Sequence, residues 1–182
     1  LIPIFLILIF VAHHFISMLK PFPTGFDASN YYINLSKLLV DYQGLVKGEH
    51  AYNWSVFMSL GLTLFKSMPL TLLLSILPGI INLFLIFYIT KKLSSIVIAV
   101  FTTFFFYSMP LILFHSAVDA KVDQALLFYS LLVVAIIVDH YKEMKNTSRI
   151  FNPLFIIIGV LLGYSFGIKY TSVFTIFSIV SI

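Results

Sequence analysis

SMPLTLLLSILPGIINLFLIFYIT, residues 67–90, carries no charged side chain and is longer than the roughly 20 apolar residues with which a helix crosses about 30 Å of hydrocarbon. Three further runs have the same character: Leu1–Leu19, Leu93–Phe114 and Ile150–Ile168. Gln124–Val138 is shorter and spans if Asp123 and Asp139 lie at the two interfaces, and Tyr170–Ile182 begins another span. Sixty per cent of the 182 residues are hydrophobic and ten per cent charged, with a mean hydropathy of +1.06, a balance that the surface of a soluble domain does not accommodate. The expected fold class is all-α: a polytopic transmembrane helix bundle of about six spans forming one domain over residues 1–182. Residues 1–19 are read as the first span, 20–66 as an outer loop with surface helices and 67–182 as the further spans. Leu1–Leu19 has no basic leader and no small-x-small cleavage pattern, so it reads as a retained span and not a signal peptide. The chain opens without Met and stops inside an apolar run, which reads as the amino-terminal part of a longer protein.

Cysteine is absent, which removes disulfides, thiolate chemistry and Cys-based metal sites. The net charge of +4 comes from basic residues scattered singly and in one pair; without a basic stripe, no nucleic-acid partner is expected. Lys91 and Lys92 follow the second span, and Lys142, Lys145 and Arg149 follow the fourth. The positive-inside rule puts those loops and the amino terminus in the cytoplasm, and the loops with Asp27, Asp119 and Asp123 on the outer face.

The outer loop opens at Pro21, Pro23 and Gly25, residues that break a helix and turn the chain. Gly25-Phe26-Asp27-Ala28-Ser29-Asn30-Tyr31-Tyr32 then brings the first acidic residue of the sequence. From Ala28 to Tyr42 the apolar residues Tyr31, Leu35, Leu38 and Tyr42 recur at helical spacing, beside a polar stripe of Asn30, Asn34, Lys37 and Asp41, which predicts a helix lying at the membrane surface. Asp27 precedes its first turn and either caps free backbone N–H groups or does chemistry at the mouth of the bundle. Gln43–Asn53, with Gly44 and Gly48, is expected to be a loop. Trp54–Phe65 is too short to span and is expected to form a second surface or re-entrant helix, with Tyr52 and Trp54 at the interface. Pro78-Gly79 should kink the second span and Pro110 distort the outer end of the third.

His13 and His14 fall on different faces of the first span, either as a functional site or as residues bonded to nearby carbonyls. His115, Asp119, Lys121 and Asp123 form the densest ionisable cluster. Asp119 and Asp123 are four apart, so with His115 they either hold a divalent cation or form a solvated loop neutralised by Lys121. Asp139–Arg149 reads as an ordinary connector. Gly159, Gly163 and Gly167 recur every fourth residue, a small-residue face for close helix approach. Lys169 follows them and either snorkels to headgroups or meets a lipid phosphate.

In their order, these segments resemble the GT-C glycosyltransferases of the protein O-mannosyltransferase and aminoarabinose transferase type. The likeness rests on the Gly-Phe-Asp-Ala-x-x-Tyr-Tyr loop, the Tyr52-Asn53-Trp54-Ser55 segment, Lys121-Val122-Asp123 and the glycine-rich fifth span ending at Lys169-Tyr170-Thr171, and covers nearly the whole chain. Many relatives place a second acidic residue directly after the first-loop Asp; here that position is Ala28, so the similarity is closest to members with Asp-Ala. The resemblance implies an inverting transferase, an integral protein of the bacterial plasma (inner) membrane, moving a sugar from a polyprenyl-phosphate donor to an acceptor on the outer face. Its partners would be the lipid-linked donor and membrane lipids. Asp27 would be the catalytic base and Asp123, Lys169, Lys121 and Tyr31 substrate-binding residues, with a divalent cation, if one is used, at Asp119 and Asp123. The alternative is a secondary transporter with His13, Asp27 and Asp123 as an ion relay, although transporter sites lie near the bilayer midplane. A scaffold subunit also fits the composition but gives no reason for the outer acidic residues.

Overall fold

Apolar runs fold into helices here, and proline or polar pairs decide where each one stops. The computed structural model describes residues 2–19, 22, 24–47, 52–117, 119, 121–146 and 152–181, and among them every regular element is helical. In chain order these are α1 (Ile2–Met18), a π-turn (Ala28–Tyr32) leading into α2 (Ile33–Asp41), α3 (Asn53–Phe65), α4 (Met68–Leu93), α5 (Ile96–Ser108), α6 (Pro110–Ala117), α7 (Asp123–Asn146), α8 (Pro153–Phe166) and α9 (Ser172–Val180). Pro21, Pro23, Gly48 and Arg149 lie outside the described residues.

The all-helical expectation holds, but the expected number of long spans does not. Among the described residues two helices are long and apolar enough to cross a membrane, α4 with 26 residues and the α7 segment Asp123–Lys145. The run Leu93–Phe114 is cut twice. Ser94 and Ser95 separate α4 from α5, where the Ser95 hydroxyl accepts from the Ile98 N–H at 3.4 Å. Further on, Met109 takes an extended conformation (ψ 128°), as the residue before a proline must, and Pro110 opens a new helix. Pro110 therefore ends α5 instead of distorting it. Pro78, by contrast, sits inside α4, which continues through it. The presumed connector after Asp139 is helical to Asn146, with His140 as a non-helical step.

Helices α4 and α7 run parallel and are tied by Asn82, fully buried, whose side-chain N–H groups reach the Gln124 backbone carbonyl (2.9 Å) and side-chain oxygen (3.2 Å). The first half of α4 extends past the start of α7 and packs against α3. There Gly61 approaches the Thr71 backbone so closely that a Cβ would overlap it, and Lys66, left-handed at φ 49°, closes the α3–α4 corner. The main core gathers Ala28 and Ile33, Trp54 and Met58, Leu72 and Ile76, Val122 and Ala125, and Ile168. Trp54 was expected at an interface; it is 4% exposed, in the centre of this core. Gly167 meets the Asn53 side chain, whereas Gly159 and Gly163 have nothing within 4 Å of a would-be Cβ, so the expected glycine face receives no helix from the described residues.

Candidate active site

Three buried apolar residues fix the site. Ala28, Val122 and Ile168 share the main core and are each at most 2% exposed. Their neighbours along the chain are Asp27, the pair Lys121 and Asp123, and Lys169. Burial of the anchors holds the charged neighbours at the core's rim. The Lys121 ammonium lies 2.7 Å from Asp27 Oδ2, and the Lys169 ammonium 2.7 Å from Asp123 Oδ1. All four side chains are partly open to solvent, between 24% and 40%.

Asp27 does not cap the helix that follows it. Its backbone is already helical (φ −68°, ψ −34°) and its side chain makes no capping bond. The cap comes from 91 residues away: Asp119 Oδ1 accepts the Ala28 N–H at 2.8 Å. Asp119 is 3% exposed and its second oxygen lies 3.6 Å from the Lys121 ammonium. A Cβ at Gly25 would collide with Asp119, so glycine there lets the two segments touch. The capping that local sequence offers as one of two roles for Asp27 thus falls to Asp119, and among the described residues the Asp27 carboxylate pairs with Lys121.

The π-turn sets what faces the site. The Ile33 N–H donates to the Ala28 carbonyl, five residues back, so one extra residue is inserted into the helical winding. The buried face is Ala28, Ile33, Leu35 and Ser36, and not the predicted stripe of Tyr31, Leu35, Leu38 and Tyr42, of which Tyr31 and Tyr42 are 39% and 72% exposed. The polar stripe of Asn30, Asn34, Lys37 and Asp41 is exposed as expected. Tyr32, instead of Tyr31, lies among the carboxylates: burial, then Asp123, Asp27 and Asp119, push its phenol up to about 12. Tyr31 stands at the rim with its ring edge-on to Tyr32, centroids 5.0 Å apart.

The hydrogen bond from Lys121 to Asp27 lifts the Lys121 ammonium above its ordinary value, so it is cationic at any physiological pH. His115 lies half-buried in α6. The expected cation site does not form. Asp119 and Asp123 are not one i, i+4 pair, because α7 begins only at Asp123; Asp119 turns to Ala28 and Asp123 to Lys169. Among the described residues no three His, Asp or Glu side chains stand close enough to hold a metal ion. The donor set does not fit a divalent cation. His13 is exposed on α1.

Sequence reasoning missed Tyr32, because the π-turn that directs it inward has no periodic signature, and missed the role of Asp119, because its partner is remote in the chain. The site is therefore a row of paired charges, Asp27, Lys121 and Asp119 in one group and Asp123 with Lys169 in the other, with a protonated phenol beside it. It offers a partly exposed carboxylate to accept a proton and two ammonium groups to receive an anion. Compared with known proteins, the chain matches no family, no curated protein and no solved structure.

Proposed function

We propose that the chain is part of an integral membrane glycosyltransferase, acting on the outer face, that moves a sugar from a polyprenyl-phosphate donor to an acceptor with inversion. The observation that carries this reading is the Asp27–Lys121 pair beside Asp123–Lys169 at one rim of the bundle. The acceptor hydroxyl oxygen attacks the anomeric carbon while its proton passes to the Asp27 carboxylate. The bond from the anomeric carbon to the phosphate oxygen breaks, and the electron pair leaves with the phosphate. Growing negative charge on that phosphate is met by the ammonium groups of Lys121 and Lys169. Phosphate drawing Lys121 toward itself also frees Asp27 to take the proton. Asp123 holds Lys169 in place, Tyr32 stays a hydrogen-bond donor, and Tyr31 at the rim is positioned to touch the incoming sugar.

The polytopic reading is part of the same proposal. Helices α4 and α7 have the length to cross, and α5 and α6, of 13 and 8 residues, follow one another closely enough to serve as one interrupted crossing. Helices α1 and α8, of 17 and 14 residues, rise about 26 and 21 Å and cross if their flanks continue through the interfacial zone; α9 opens the sixth crossing.

The test is sugar transfer from a polyprenyl-phosphate sugar by the full-length protein, comparing wild type with Asp27→Asn. Loss of proton abstraction should lower the rate by roughly 10²- to 10⁴-fold with donor binding retained. Transfer at the wild-type rate would remove Asp27 from the chemistry. Absence of transfer by wild type together with solute uptake into vesicles would favour the transporter.

A further inference from the structure

A cavity lies at the far end of the bundle from the charged row. It is a groove of about 570 Å³ lined by the last turns of α7 with α8 and α9, within the roughly 300–1,000 Å³ of small-molecule sites. Ile158, Leu162 and Ile179 line its wall, and Gly159 leaves open space where any other residue would project a side chain. Lys145 and Tyr141 also line it, with the Lys145 ammonium 6.0 Å from the centre of the Tyr141 ring. Two ion pairs stand at this end, Lys92 with Asp139 at 2.9 Å and His140 with Glu143 at 3.1 Å. Among the described residues neither Lys142 nor Lys145 has a carboxylate partner.

We propose that this cavity binds one anionic phospholipid, with an acyl chain in the α7–α8–α9 slot and its phosphate on Lys145. An apolar slot with an unneutralised ammonium at its mouth complements a lipid in both parts, and basic pockets between spanning helices are where anionic headgroups settle. A zwitterionic lipid would fill the slot too, but its own ammonium competes with Lys145 for the phosphate, so only a lipid with net negative charge neutralises Lys145. Residue 145 follows Asp123 by 22 positions along α7, about 33 Å at helical rise, so this lipid occupies the leaflet opposite the candidate active site. It is distinct from the donor of the proposed reaction. The inference rests on the membrane reading of the chain and not on sugar transfer.

The experiment uses the full-length protein in phosphatidylcholine vesicles doped with phosphatidylglycerol that carries a photoreactive acyl chain. After irradiation, cross-linked peptides from α7, α8 and α9 are identified by mass spectrometry, and a carbonate wash reports membrane integration. Expected are labels on the slot, displaced by unlabelled phosphatidylglycerol but not by added phosphatidylcholine. Lys145→Glu should reduce labelling by at least fivefold, about the factor for one basic side chain near an anionic surface. Gly159→Phe, which fills the slot at a position facing open space, should abolish slot labelling while the protein stays integrated. Equal labelling of wild type and Gly159→Phe, or equal displacement by phosphatidylcholine, would overturn the site and leave only annular lipid. Release of the chain by carbonate would overturn the membrane reading itself, a result separable from integrated protein that takes no label.

Discussion

At the scale of single residues, two aspartates divide roles that the sequence assigns to one. Asp27 holds no backbone group, whereas Asp119 holds the Ala28 N–H from within the core. Stability and activity should therefore separate. Asp119→Ala leaves a buried N–H without its acceptor and should cost about 0.5–2 kcal/mol, with Asp119→Asn recovering most of it because the amide oxygen still caps. Asp27→Ala removes only a partly exposed ion pair, worth at most about 1 kcal/mol and often less. Thermal unfolding of the four proteins in one detergent checks this; a larger loss for Asp27→Ala than for Asp119→Ala would reverse the assignment. The charged members of the site were legible because ionisable residues are rare in so apolar a chain. Their pairing was not, since Lys121 meets Asp27 and Lys169 meets Asp123 across separations of 94 and 46 residues, which no local spacing encodes.

At the scale of elements, hydrophobic runs announced α4 and α7 and overstated the number of long helices, most clearly in the third run. Run length registers apolar content, but Met109-Pro110 and Ser94-Ser95 end helices through backbone geometry and capping, to which hydropathy is blind. The reading of Trp54 failed for a related reason: an amphipathic ring suits an interface, yet α3 folds back on α4 and buries it. The π-turn is the element on which the site depends most. An extra residue in the winding shifts everything before it by about 100° relative to α2, while α2 is held by Ile33, Leu35 and Ser36. Deleting the exposed Asn30 should close the turn to ordinary α-helix, keep α2 docked and swing Asp27 away from Lys121. Sugar transfer should fall to the level of Asp27→Asn, while Asn30→Ala, which keeps the length, stays near wild type in transfer and in unfolding temperature; the deletion, which also turns Ala28 from its Asp119 cap, unfolds lower. A deletion variant with wild-type transfer would show that the π-turn does not aim Asp27.

At the scale of the whole molecule, the polar ends of the bundle have different characters. One end carries Asp27, Asp119 and Asp123 with Lys121 and Lys169; the other carries Lys91, Lys92, Lys142 and Lys145 with Asp139 and Glu143. The parallel course of α4 and α7 places Lys92 and Asp139 together at the second end, joined at 2.9 Å, so both loops that the positive-inside rule would retain in the cytoplasm do share one end. That agreement between fold and charge makes an orientation testable. The chain has no cysteine of its own, so single cysteines report without background. Ser29 is exposed beside Asp27, and Asn146 closes α7 at the other end. In intact cells Ser29→Cys should react with a membrane-impermeant maleimide and Asn146→Cys only after the membrane is permeabilised. Labelling of Asn146→Cys but not of Ser29→Cys in intact cells would invert the chain, put the charged row on the cytoplasmic face and exchange the leaflets of donor and bound phospholipid. Labelling of both would mean that the bundle does not separate two compartments, since a reagent confined to one side cannot reach ends set about 33 Å apart along α7 unless no membrane lies between them.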